Sequence, residues 1–158
     1  MAYDVFISYS SKNLPTVDWL RRTLTQPSVT EVFAAEYSVL PSQKLNDEIV
    51  AAIRKCDLFV LLWTHDARAS DYVPQEIGIA IGRGKTILPV VMEENVPVPA
   101  FIANLKYLPA HRNPTESLNW LTQFVQENSK KLQNAKGLGV LAVIVAGILL
   151  FGGGGGSE

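Results

Sequence analysis

The stretch that most constrains this chain is Asp57–Trp63, DLFVLLW, in which one aspartate leads six apolar residues in a row. A strand that is apolar at every position has no face to give to water. It fits only where both faces are covered, as in the middle of a parallel sheet with helices above and below. Shorter runs of β-branched and aromatic residues read as further strands: Tyr3–Ser8 (YDVFIS), Thr30–Ala34 (TEVFA), Thr86–Met92 (TILPVVM) and a short Lys106–Leu108. Pro89 inside the fourth run predicts a bulge or an edge strand, since proline cannot donate to a ladder.

Helical spacing fills the gaps. Pro15–Thr25 sets Val17, Leu20 and Leu24 on one face, and Leu45, Ile49, Ala52 and Ile53 follow Ser42, a candidate N-cap. Asp71–Arg83 repeats through Ile77, Ala80 and Ile81 and is closed by Gly82 and Gly84. Pro114–Asn134 carries the stripe Leu118, Leu121, Phe124, Val125 and Leu132. Strands alternating with helices predict an α/β domain around a parallel sheet, which here counts five strands. Ligands of such sheets bind beyond the carboxyl ends of the strands. Those ends lead into Ser8–Asn13, Ala35–Lys44 and Thr64–Tyr72, where any chemistry belongs.

The totals narrow the partners. With 158 residues the chain is one domain with a tail, and its net charge of −1 offers no basic excess for a phosphate backbone, so nucleic acid is excluded. A single cysteine, Cys56, permits no internal disulfide, and a packed thiol is its expected fate. Met1 runs almost directly into a strand pattern with no basic leader, which predicts a cytoplasmic location.

The tail is different. No charge occurs from Gly137 to Ser157, and Lys130, Lys131 and Lys136 lie just ahead of it. As a helix, 137–151 would reach roughly 22 Å, short of a hydrocarbon core of roughly 30 Å. Two readings stay open: a membrane contact that tethers the domain to the inner face, or a helix packed within an oligomer or on the domain itself. The divisions are therefore 1–128 as the domain, 129–136 as a basic linker or helix extension, 137–151 as the hydrophobic tail, and 152–158 as a Gly-rich end of linker composition, readable as an engineered scar or as the start of a truncated region.

Four segments carry a family resemblance. YDVFISYSSKN at the start resembles the first box of TIR (Toll/interleukin-1 receptor) domains. VFAAEYSVLPSQKLNDEIVAAI, residues 32–53, is similar to the family's BB loop and the helix after it. CDLFVLLWT resembles its central strand, and SDYVPQEIGIA followed by TILPVV resembles its αC region and fourth strand. The likeness runs from Tyr3 to Leu121 with the four segments in the family's order. It departs at Ala35, where an acidic residue is usual and Glu36 stands beside it, and at Ser42, where glycine is common.

The resemblance implies a flavodoxin-like three-layer sandwich with a five-stranded parallel sheet, to which the tail described above adds a C-terminal hydrophobic helix. It implies kinship with prokaryotic NAD-consuming immune TIR proteins of the Thoeris type. Their activity would be cleavage of the nicotinamide–ribose bond of NAD+ to nicotinamide and ADP-ribose or a cyclic isomer, activated by self-assembly in antiviral defence. Carried over residue by residue, Glu76 is the catalytic carboxylate. Tyr72, four residues earlier, stands where a tryptophan is frequent and keeps an aromatic ring on the same helix face. Cleavage builds an oxocarbenium-like ribose, which a carboxylate stabilises, while neutral nicotinamide leaves without an acid.

Ser8, Tyr9, Ser10 and Ser11 are candidates to hold the diphosphate or ribose, equally readable as a capped polar turn. Phe33 and Leu40 are candidates for the nicotinamide pocket, though core packing is the commoner fate of such residues, and Glu36 is a further candidate for binding the dinucleotide. Nothing beyond NAD+ as substrate is expected as cofactor, and no metal, because His65 and Asp66 lack a second histidine nearby and His111 is isolated. Self-association would run through TIR–TIR contacts that include residues 36–46. The rival reading is a non-catalytic, membrane-associated TIR scaffold. A deoxyribosyltransferase-like enzyme, which also uses a glutamate on N-glycosidic bonds, is the third.

Overall fold

The structure, a computed structural model, describes residues 1–35 and 47–135. Four strands form its sheet: β1 (Tyr3–Ser8), β2 (Thr30–Ala34), β3 (Leu58–Trp63) and β4 (Thr86–Val91). They lie in the order β2-β1-β3-β4, and every pairing is parallel. Between them lie the helices α1 (Leu14–Leu24), α2 (Asp47–Lys55), α3 (His65–Ala69) and α4 (Val73–Gly82), and α5 (Pro114–Ala135) follows β4.

All six residues of β3 are buried, as its unbroken apolar run requires. Alternation along β1 then sorts the layers. Val5, Ile7 and Tyr9 join the core under α1 and α5, with Val17, Leu20, Leu121 and Val125. Phe6 faces the other way into the core under α2 and α4, with Ile49, Ile53, Val73 and Ile77. This is a three-layer α/β sandwich with one apolar core on each side of the sheet.

The sheet has four strands and not the expected five. Lys106–Leu108 contributes one isolated bridge, Val90 with Leu108. Leu108 donates to Pro89 O at 2.9 Å and accepts from Val91 N at 2.9 Å. Beyond it the chain turns, with Ala110 N bonded back to Leu108 O at 3.0 Å, and the next bond to β4 comes from His111 N to Val91 O at 2.9 Å, so the segment leaves strand geometry after one bridge. Pro89 itself sits on an edge strand, β4, where its missing donor is tolerated.

A helix not foreseen lies where Thr64–Ala69 reads as a loop. The Thr64 hydroxyl accepts from Ala67 N at 3.0 Å and starts α3. The end of α4 is a Schellman arrangement: Gly84, at φ +63°, donates to Ile81 O while Lys85 donates to Ala80 O. The candidate N-cap Ser42 and the hydrophobic tail 137–151 lie outside the described residues. Among the described residues no helix is long and apolar enough to cross a membrane.

Candidate functional site

Ser8 is the last residue of β1 and, by strand alternation, lies on the same face as Phe6, toward α4. On α4, Val73, Ile77 and Ala80 form the buried stripe, and Glu76 falls on it at helical spacing. The sheet and helix therefore drive one serine and one glutamate together. Ser8 Oγ donates to Glu76 Oε2 at 2.5 Å, and both residues are wholly buried.

The other carboxylate oxygen, Oε1, is also buried and has no hydrogen-bond partner among the described residues. Burial pushes the Glu76 carboxyl up to about 8, against a smaller opposing effect of the Ser8 hydrogen bond. Glu76 also lies in the first turn of α4, where the helix dipole favours an anion. That effect is about 1 kcal/mol or less, under one pKa unit, and is too small to reverse the burial. At neutral pH the carboxyl is therefore mainly protonated.

Next to this pair is a polar cleft of about 450 Å³. Tyr9, Ser10, Ser11 and Lys12 line it from the end of β1, and Asp66, Ala69, Ser70 and Tyr72 from the α3–α4 segment. Lys12 Nζ pairs with Asp66 Oδ1 at 3.1 Å across it, with both side chains open to water. The Ser70 hydroxyl accepts from Tyr72 N at 3.2 Å and Val73 N at 3.4 Å in the turn that leads into α4. Glu76 N donates back to Tyr72 O at 3.0 Å, so the aromatic residue at the cleft and the buried carboxylate sit one turn apart.

Of the residues singled out from sequence, Tyr9, Ser10, Ser11 and Tyr72 line the cleft. Ser8 contacts Glu76 instead of a ligand space, and Glu76 is not among the lining groups. The Tyr9 phenol donates to Ala35 O. Phe33 stacks on Phe6 with centroids 5.6 Å apart and packs against the core beneath α2 and α4. Glu36 and Leu40, with the whole of 36–46, lie outside the described residues.

Sequence reading did not single out Lys12 or Ser70. Their signal was positional, since both fall in loops that follow strand ends. His65 Nδ1 meets Glu93 Oε2 at 2.5 Å, and the His65 backbone N–H with that ring contact holds the Glu93 carboxyl below its usual range. Trp63 Nε1 donates to Pro97 O, and His111 Nδ1 lies 3.2 Å from Val91 O; both are structural contacts. Among the described residues no group of three or more His, Cys, Asp or Glu side chains is placed to hold a metal ion.

Comparison with known proteins gives the fold its family. Among solved structures, the TIR domain of the Toll-related receptor TRR-2 from the lower metazoan Hydra magnipapillata superposes with a TM-score of 0.52 at 19% identity. That match covers 74% of this chain and 98% of the receptor domain. The TIR domains of the activated Roq1 resistosome, which directly recognises the pathogen effector XopQ, match with a TM-score of 0.48 at 18% identity, covering 83% of this chain and 78% of that one. No curated protein matches the chain. The family model described as TIR domain matches residues 5–125, and the chain belongs to that family.

Proposed function

We propose that this TIR domain cleaves the nicotinamide–ribose bond of NAD+, with Glu76 as the catalytic carboxylate. The observation that carries the reading is the state of Glu76: fully buried, bonded through one oxygen to Ser8, and bare at the other. A buried acceptor left without a partner costs about 1–3 kcal/mol, and such groups cluster where function requires them.

In the reaction the C–N bond breaks with both electrons going to nicotinamide, which leaves neutral. The ribose becomes an oxocarbenium-like cation, and ionised Glu76 stabilises it. Water then adds to give ADP-ribose and a proton, or a nucleophilic atom of the adenosine half adds to give a cyclic isomer and a proton. The cationic nicotinamide ring of the bound substrate favours the ionised carboxylate, which brings Glu76 into its working form as the substrate arrives. Tyr72, half-buried at the cleft one turn before, offers a ring for stacking.

The carboxylate does not line the cleft of this single chain, which fits a resting state. Activation is then an assembly event, in which TIR–TIR contacts that include residues 36–46 open and complete the site. The setting is antiviral defence of the Thoeris kind, in the cytoplasm, with residues 137–151 as a tether or an assembly segment. The test is incubation of concentrated protein with NAD+ at several protein concentrations while nicotinamide is followed by chromatography. Release that rises steeply with concentration and disappears in Glu76→Ala supports the reading. Equal rates for wild type and Glu76→Ala reject it.

The sealing of Glu76 away from the cleft also favours one alternative, a membrane-associated TIR scaffold that acts through TIR–TIR contacts alone. Such a scaffold tolerates Glu76→Ala and fails when Leu40 or Pro41 is changed.

A further inference from the structure

Resting on the catalytic reading of Glu76, we infer that Ser8 is a positioning residue that holds Glu76 Oε2 so that Oε1 alone is left for the substrate. Three observations carry this. Ser8 Oγ lies 2.5 Å from Oε2 in a contact sealed from solvent on both sides. Ser8 is in register with Leu61 at the centre of the sheet, so its backbone, and hence the face on which its side chain stands, is set by the β1–β3 ladder. Oε1 has no partner among the described residues, so the donor acts on one oxygen and not on both.

The chemistry is asymmetric in a useful way. A serine hydroxyl has one proton, and an ionised carboxylate can only accept. When Glu76 is charged, Ser8 must therefore donate to Oε2, which occupies a lone pair there and leaves Oε1 as the oxygen without a donor. The same hydrogen bond favours the charged form and opposes the burial that disfavours it. Among the described residues no other side chain shares this task. α4 packs on β1, β4, α2 and α3, and among the described residues no charged side chain of those elements acts on the ionisation of Glu76. Losing the Ser8 donor leaves burial opposed only by the small effect of the α4 dipole.

The sequence alone leaves Ser8 open between holding a ligand's diphosphate or ribose and belonging to a capped polar turn. A ligand-binding serine and a positioning serine predict different results. The experiment is a ¹³C carboxyl titration of Glu76 by NMR in the folded chain, with Glu76→Gln identifying the resonance, for wild type, Ser8→Ala and Ser8→Thr.

The expected result is a Glu76 midpoint that moves upward by about one pH unit in Ser8→Ala and returns toward wild type in Ser8→Thr. In the nicotinamide assay, kcat of Ser8→Ala falls about tenfold or more with KM nearly unchanged, and the acid limb of its pH profile moves upward with the NMR midpoint. An unchanged midpoint in folded Ser8→Ala overturns the inference, as does a variant whose KM rises while kcat and the pH profile hold. If Ser8→Ala does not fold, Ser8→Cys keeps the volume with a weaker donor, and its midpoint must lie above wild type. Wild type that releases no nicotinamide overturns the catalytic reading, while the titration still decides whether Ser8 governs this carboxyl.

Discussion

The phenol of Tyr9 donates to the carbonyl of Ala35 at 2.5 Å, tying the residue after β1 to the residue after β2. Tyr9 is 2% exposed and Ala35 3%, so neither group has water as a substitute. Removing the hydroxyl in Tyr9→Phe strips a buried carbonyl of this donor. The variant is expected to lose about 1–3 kcal/mol, read as a lower urea midpoint with an unchanged slope. A variant as stable as wild type would show that the carbonyl is satisfied elsewhere.

Glu76 makes the fold pH-dependent in an unusual sense. Its carboxyl titrates at about 8 when folded and near 4.5 when unfolded. Between those values the folded state holds a proton that the unfolded state has released, so stability falls as pH rises, by roughly 1.4 kcal/mol per pH unit. Glu76→Gln carries no such charge and escapes this decline. Thermal melts at pH 5.5 and 8 are expected to show the variant pulling ahead of wild type at the higher pH. A gap that stays constant across that range contradicts the burial of an ionisable carboxyl.

The aromatic column Phe33–Phe6–Phe59 crosses three adjacent strands, with centroids 5.6 Å and 5.3 Å apart. Phe6 is its centre and is fully buried. Phe6→Ala opens a cavity flanked by two rings on strands that cannot close it, at a cost of about 3–5 kcal/mol. Chemical denaturation checks this, and a loss below about 1 kcal/mol would mean that the column collapses to fill the gap.

Cys56 is 3% exposed, donates to Ile53 O, and has a thiol pushed up to about 11 chiefly by burial. Little thiolate exists at pH 8, and it is out of reach of reagents. Alkylation by iodoacetamide is expected to be at least tenfold slower in the native chain than in urea. Equal rates would place the thiol at the surface.

Much of the architecture was legible in the sequence because the apolar run of β3 admits few environments, and the helical stripes around it supplied the layers. The miscounted strand failed for a local reason: Lys106–Leu108 has strand character, but the chain turns directly after it, with Ala110 N bonded back to Leu108 O. The short helix α3 was missed because its start depends on the Thr64 hydroxyl reaching Ala67 N, a contact that periodicity does not report. In the site, the burial of Glu76 was implicit in its spacing from Val73, Ile77 and Ala80. Its partner was not, because Ser8 is 68 positions away and only strand register brings it there.

A carboxylate that weakens the fold around it is also a marker under drift. In a lineage released from the need for it, glutamine, methionine or leucine at position 76 gains stability at once and meets no opposition. Side chains at the corresponding place in relatives then sort them without any assay. Those that keep the acid are held to it by something other than folding.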